Sequence, residues 1–395
     1  MSYPTTKMKD IILIRTGKLD SNAAVDGGIY PFFTCDPATL RINTWAYDTE
    51  AVLLAGNNAS GNYTAKYYKG KFNAYQRVYI IETADPLKLN IRYLCYALNQ
   101  QLRLLKTMSS GSTTKFLTLG MLHGLDIPMP SIEMQKQIVS VLAAYDDLIE
   151  NNQKQIKLLE EAAQRLYKEW FVDPRFPGHE TTHIIDGIPE GWERKTVAEC
   201  LSFHGNGGWG KETPMGKNEH PGKVIRGTDI EDVKAGRFDD IPLRYHTDND
   251  IKKRTLKNYD LVFELSNGNI NNIGRCLLID DLVLKNCGEN TICASFCKLL
   301  RPVDRLHSLM LYWEIQDMQI SGRMLPLKKH GANGINNFDF DGFLNHELLI
   351  PNKADMLSPI EAIMAKISII QGQFALLTEA RDRLLPKLMN GEIEV

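Results

Sequence analysis

One amphipathic stretch, Glu133–Phe171, limits what this chain can fold into more than any other. Its seam residues recur at alternating steps of four and three: Ile138, Leu142, Tyr145, Ile149, Asn152, Ile156, Leu159, Ala163, Leu166 and Trp170. That spacing predicts a long helix with a coiled-coil seam and one polar break, at Asn152. Pro130 and Ser131 stand at its entry, with Glu133 and Gln135 just after, which is a helix-start pattern. Asp173-Pro174 and Pro177-Gly178 end it. At ~1.5 Å per residue, a helix over these 39 residues is roughly 58 Å long. An ordinary globular core does not need such a rod, so something must pack along it.

The partner stands later in the chain. Met356–Leu388 repeats the seam: Met356, Ile360, Ile363, Ile367, Ile370, Phe374, Leu377, Arg381, Leu384 and Leu388. From Leu142 onward, each seam residue maps onto the later copy at a constant offset of 218. Leu125-Asp126-Ile127-Pro128 before the first helix is echoed by Leu348-Leu349-Ile350-Pro351 before the second. The chain therefore reads as a tandem duplication, each copy a variable block followed by a long helix. Its four parts are residues 1–130, 131–173, 174–352 and 353–395. The expected fold class is α+β, two α/β domains separated by two long helices.

Within residues 1–130, strands are expected at 7–17, 51–55 and 78–81, a turn with another short strand over 27–34, and a helix over 89–106. Within 174–352, strands are expected at 197–203, 224–226, 261–264, 276–279 and 292–300, and a helix over 306–320. Seven scattered cysteines, an odd number, suit reduced thiols in a cytoplasmic protein. There is no charged-then-apolar leader and no long apolar run, so neither secretion nor membrane insertion is expected. Charge is unevenly shared. Residues 1–130 hold 14 Lys and Arg against 9 Asp and Glu, whereas 173–352 hold 22 against 26. The first block suits a polyanion, and the second would have to gather its cations on one face. Arg244, Lys252, Lys253, Arg254, Lys257 and the pair Lys328-Lys329 are the candidates.

Catalytic signals are weak. Gly205–Glu212 (GNGGWGKE) matches a glycine-rich dinucleotide pattern by letter and nearly matches a phosphate loop. Glu212, however, stands where a magnesium-binding hydroxyl belongs, and Pro214, Gly216 and Pro221-Gly222 oppose the helix that must follow. Cys293 and Cys297 share strand parity with the core, so small hydrophobes are expected there rather than zinc ligands. No His pairing of metal-site spacing occurs, and no methyltransferase motif of the Asn- or Asp-Pro-Pro-aromatic kind. Catalytic residues, metal and cofactor are therefore expected to be absent from this chain.

Binding signals are better. Asn57, Asn58, Asn62, Tyr63, Lys66, Lys69 and Lys71 combine amides, an aromatic ring and cations after a buried strand. Asn can pair with adenine and Lys with guanine in the major groove. Ser110, Thr113, Thr114 and Lys115 lie in a small polar loop suited to phosphate. The second block offers Asn267, Asn269, Asn271 and Asn272 after a strand, then Asn333, Asn336 and Asn337 before its helix. Arg226, Lys328 and Lys329 complete the candidate set. Such residues also simply make turns, but their recurrence in both copies fits a split DNA site. On the seam, Asn152 is expected to fix helix register, and Arg381 either to snorkel or to pair with an acid such as Asp146 or Glu150.

The chain resembles the specificity subunit of type I restriction-modification systems over essentially its whole length. Leu125–Ser131 with Gln135–Ile138, Leu148-Ile149, Leu158–Tyr167, Gly111–Leu117, Ile188–Trp192, Arg226–Ile230, Tyr259–Val262, Ile273–Arg275 and Arg383–Ile393 carry the resemblance. It implies that the two long helices pair as an antiparallel coiled coil with pseudo-twofold symmetry, and that two target recognition domains each read half of a bipartite double-stranded DNA site, with the helices as a spacer ruler. It implies partners as well: two modification (M) subunits that bind S-adenosylmethionine and methylate adenine N6, and restriction (R) subunits that use ATP and Mg. The alternatives are a coiled-coil scaffold without sequence readout, and a nucleotide-binding enzyme built on Gly205–Lys211.

Overall fold

The computed structural model describes residues 3–36, 38–58, 63–108, 115–331 and 334–393. The chain divides into two compact units, one of residues 1–148 with 377–395, the other of residues 149–376. Each unit takes part of both long helices, Ile132–Tyr167 and Ser358–Met389.

Unit 1 is built on a six-stranded sheet in the order Ile12–Thr16, Val78–Thr83, Tyr47–Ala55, Ala65–Ala74, Tyr30–Phe33 and Leu40–Ile42. All neighbours are antiparallel except Tyr30–Phe33, which runs parallel to Ala65–Ala74. Both faces of the central strand are covered. Val52 and Leu54 join an apolar cluster with the helix Ile91–Met108, while Ala51 and Leu53 join Phe33, Phe72 and Ile80 on the other side. That double burial is why the sequence there is a continuous apolar run rather than an alternating one.

The entry motif of the first long helix is a weld. Asp126–Pro128 pairs with Thr5–Lys7, and the Tyr93 hydroxyl donates to Pro128 O at 3.0 Å. Ser131 Oγ caps the helix by accepting from Met134 N–H. Gln135 is completely buried. Its Nε2 donates to Lys88 O and Pro130 O, and its Oε1 accepts from Asn90 N–H. A buried amide with these partners is satisfied and locks the helix start onto the helix 91–108.

Unit 2 carries a four-stranded antiparallel sheet in the order Leu201–Asn206, Cys297–Pro302, Leu261–Glu264 and Cys276–Leu278. A three-stranded sheet joins Leu243–His246, His220–Ile225 and Ile292–Cys293. The helix Arg305–Ser321 is buried on nearly every side. The expected strand 292–300 is two strands, broken at 294–296 where Phe296 turns outward. Five short helices at 119–123, 230–234, 248–254, 281–287 and 340–344 were not expected. Glu193–Thr196 pairs with Glu347–Ile350, as Thr5–Lys7 pairs with Asp126–Pro128 in unit 1. The duplication is thus visible in backbone pairing.

Within each unit the two long helices run antiparallel. In unit 1, Ile138 and Leu142 share a cluster with Leu385, Leu388 and Met389, and Arg381 Nη1 donates to Asp146 Oδ1 at 3.0 Å. In unit 2, Ile156 packs with Ile367 and Ile370. Ile149, Asn152, Ile360 and Phe374 are also buried, and Tyr145, Leu159, Ile363 and Leu377 are partly so. The seam departs from its expected line toward the ends: Tyr167 and Leu385 are buried where Leu166 and Leu384 are only partly covered. A straight helix drifts by about 20° per strict heptad, which moves the contact one residue on. Met356 lies in a 3₁₀ turn ahead of the second helix, not in it. Ala354–Met389 is also long and apolar enough, by length and composition, to cross a membrane, contrary to the expectation that no such run exists. Of its most apolar window, 22% is buried.

Arg381→Ala removes one partner of Asp146, which keeps Tyr96 and Arg92. Charge-assisted hydrogen bonds of this kind contribute about 1.5–3 kcal/mol, and partial exposure puts the expected loss at about 1.5 kcal/mol. Urea unfolding measures it, and no change would remove Arg381 from the seam's energetics.

Candidate nucleic-acid interface

In unit 1 the two polar loops spring from one place. Asn57–Asn58 and Lys115–Phe116 form an antiparallel ribbon, with Asn57 opposite Phe116 and Asn58 opposite Lys115. Gly56 O accepts from Leu117 N–H, and the Tyr79 hydroxyl donates to Leu117 O. The Cys35 thiol donates to Asn57 Oδ1, and burial pushes that thiol above its usual pKa, favouring the donor form. Asn62, Ser110, Thr113 and Thr114 lie outside the described residues, and Asn58 and Lys115 are placed by their backbone alone.

The three candidate lysines of one strand do not share one face. Lys66, Lys69 and Lys71 belong to the strand Ala65–Ala74, whose alternation sends Lys66 to one face and the other two to the opposite face. Lys66 Nζ lies 3.4 Å from Thr39 Oγ1, Lys69 pairs with Glu50 at 3.2 Å, and Lys71 sits over the Trp45 ring. Tyr63 packs against the apolar cluster beneath the long helix, its hydroxyl buried and unpartnered among the described residues.

Unit 2 repeats the ribbon. Ser266–Asn267 pairs antiparallel with Asn336–Asn337, and Lys328–Lys329 extends the sheet on the other side of that strand. The amides then separate into two kinds. Asn336 is buried and donates to Gly268 O at 2.9 Å and to Asn267 O at 3.4 Å, while His330 Nδ1 lies 3.1 Å from its Oδ1. Asn267 Nδ2 donates to Glu264 Oε1 at 2.7 Å. Asn269, Asn271 and Asn337 are exposed, and Asn272 is half-buried. Lys328 donates to Gln319 Oε1 and Asn271 O, and Lys329 pairs with Asp339. Asn333 lies outside the described residues.

Arg226 is bound to its own chain. Its guanidinium donates to both oxygens of Asp229 and to Asp240 O, so the Arg226–Ile230 motif is a closed clamp. Asp260 of the Tyr259–Val262 motif is held the same way by Arg301. Arg244 stacks on Trp209 and pairs with Glu212, and Arg254 pairs with Asp250. Lys252, Lys253 and Lys257 are exposed. Two exposed tryptophans, Trp45 and Trp209, each lie under a cation and were not singled out from sequence. Their signal was present: each is a large ring beside small or polar residues.

The glycine-rich segment continues the strand Leu201–Asn206 into coil, and the next element is the strand His220–Ile225. No helix N-terminus follows to hold a phosphate, as a phosphate loop requires. Cys287, Cys293 and Cys297 are all buried, and burial raises the Cys287 and Cys293 thiols to about 11 and about 12. Among the described residues no group of three or more His, Cys, Asp or Glu is placed to hold a metal.

Two α/β modules, each ending in a paired strand that leads into a long helix and each carrying an asparagine-bearing ribbon, define a tandem architecture. Residues 3–161 match the model of the type I restriction modification DNA specificity domain. The type I restriction enzyme EcoDI specificity subunit of Escherichia coli is 35% identical over 165 residues, 42% of this chain and 36% of that protein. The MjaIX specificity subunit of Methanocaldococcus jannaschii is 27% identical over 308 residues, 74% of this chain and 66% of that protein. The matches thus span from about a third to just under two-thirds of these relatives' lengths. The crystal structure of a type I restriction-modification S subunit from M. genitalium has the same fold, with a TM-score of 0.56 at 16% identity over 98% of this chain and 96% of that one. Residues 3–161 thus match the type I restriction modification DNA specificity domain, and these relatives are type I specificity subunits.

Proposed function

We propose that this chain is the non-catalytic DNA-reading subunit of a type I restriction-modification complex, each unit reading one half of a bipartite double-stranded target. The observation that carries this is the repeated ribbon: in both units, the segment after a buried strand pairs with the segment before the long helix. Exposed amides on such a ribbon fit base edges in the major groove, and two similar readers in one chain fit a split site. The exposed Leu158, Ile369 and Leu376 on the helical segments of unit 2 support the docking of partner subunits there. Those partners are two modification subunits that carry S-adenosylmethionine, joined by restriction subunits that use ATP and Mg.

The test is methylation mapping. The chain is co-expressed with its modification subunit in a methylation-free host, and N6-methyladenine is located by sequencing. A split motif with one methylated adenine in each half is expected. Asn57→Ala and Asn269→Ala are each expected to relax base preference in one half only, by about tenfold. A uniform loss across sequences would make both residues phosphate contacts. A folded, cofactor-loaded complex that methylates nothing would favour a scaffold role.

A further inference from the structure

We propose that Glu264 is the positioning residue of the unit 2 asparagine loop, an inference that rests on the DNA-reading role above and names what sets one half-site's preference. Glu264 ends the buried strand Leu261–Glu264, its N–H donating to Arg275 O and its O accepting from Gly274 N–H. Its carboxylate is 2% exposed. Oε2 accepts from Arg275 Nε at 2.8 Å, and Oε1 accepts from Asn267 Nδ2 at 2.7 Å. Arg275 Nη2 also donates to Gly227 O at 2.8 Å. A Cβ on Gly227 would fall 2.0 Å from Glu264 Oε1, and Gly274 sits at φ +85°. Both glycines therefore make room for, or turn the chain beside, this one carboxylate.

Hydrogen-bond direction follows from the charge. A carboxylate only accepts, so Asn267 must turn its Nδ2 toward Glu264. Its Oδ1 is then free to accept from Asn269 N–H at 2.8 Å, and Asn269 Oδ1 accepts from Asn271 N–H at 3.0 Å. Asn336 braces the same turn from the facing strand through Gly268 O. Asn269 Nδ2 and the Asn271 side-chain amide have no partner among the described residues, and both residues are exposed. One buried acceptor thus fixes the polarity of successive amides out to the surface. An apolar pair could fill the space of Glu264 and Arg275 without the cost of burying charge, but it could not impose this direction.

Glu264→Gln keeps the shape and loses the direction. With the new carbonyl on Arg275, the new amide meets Asn267 Nδ2 donor to donor. Asn267 must then turn over and release Asn269 N–H. In the complex with modification subunits, sequencing of methylated sites is expected to show about tenfold weaker discrimination in one half-site, with the other half unchanged. Adding Asn267→Asp restores it, because one oxygen of the new carboxylate accepts from the introduced glutamine amide and the other from Asn269 N–H. Asn267→Ala, which leaves the buried pair intact, is expected to give the same one-sided loss should the Glu264→Gln chain fail to fold. Full discrimination in Glu264→Gln or in Asn267→Ala, or no recovery in the double variant, overturns the positioning role while the DNA-reading role stands. A wild-type complex that methylates no two-part site removes both.

Discussion

Arg323→Ala is expected to lower the stability of unit 2 by about 3 kcal/mol, because it leaves buried carboxylates short of their cation. Arg323 Nη1 donates to Glu314 Oε1 at 2.8 Å and its Nη2 to Asp317 Oδ2 at 2.5 Å, and both acids are nearly inaccessible. Glu314 also accepts from the Tyr167 hydroxyl and lies 2.8 Å from His346 Nε2. It therefore joins the first long helix, the buried helix Arg305–Ser321 and the loop before Glu347–Ile350. Burial works to raise the Glu314 carboxyl, but the His346 hydrogen bond and the Arg323 charge outweigh it and hold the carboxyl below its ordinary 4.5. A depressed folded-state value stabilises fully above the unfolded value and is lost as pH falls through the folded one. Wild-type stability should therefore fall on acidification below about pH 4.5, and the variant's curve should be flatter in that window. Urea unfolding at several pH values measures both. Equal slopes would mean that Glu314 owes its ionisation to something other than Arg323.

Phe343→Ala should cost about 3–5 kcal/mol, the range for truncating a fully buried aromatic. Phe343 has no accessible surface. Its ring stacks on Phe263 at 5.4 Å and meets Phe338 and Phe340 edge-on or tilted at 5.6 and 6.1 Å. Phe263 lies in the strand that ends at Glu264, and Phe338 in the strand that carries Asn336 and Asn337. The cavity would open directly beneath the ribbon. Hydrogen exchange should report loss of protection in the strands 261–264 and 336–338 while the six-stranded sheet of unit 1 keeps its own. A loss below about 1 kcal/mol would show that the site collapses around the missing ring.

Sequence periodicity carried the helices because their contacts are local and regular. Ile138, Leu142, Ile156, Ile367 and Phe374 are buried as their spacing requires, and Arg381 meets Asp146. The strand Leu261–Glu264 has the bounds that its apolar run suggests. The candidate site was legible only in part. Asparagine-rich loops stand out in composition, but nothing local says that Asn57 lies opposite Phe116, or Asn267 opposite Asn336, because those pairings join distant segments. Strand alternation separates the buried Asn336 from the exposed Asn337 once the strand is known. The same alternation parts Lys66 from Lys69 and Lys71. Arg226 entered the candidate set because its acid, Asp229, reads equally well as a turn residue.

The division of the chain has a consequence for how it is made. Unit 2 is one continuous segment, residues 149–376, whereas unit 1 joins residues 1–148 to 377–395. Segments that fold as they leave the ribosome do so in order of synthesis. Unit 2 can therefore finish while unit 1, begun first, still waits for the strand of chain that covers Ile138 and Leu142. Until Leu385, Leu388 and Met389 emerge, that apolar surface is open, so a chain released after residue 376 would hold one complete unit and one whose apolar surface a chaperone must guard.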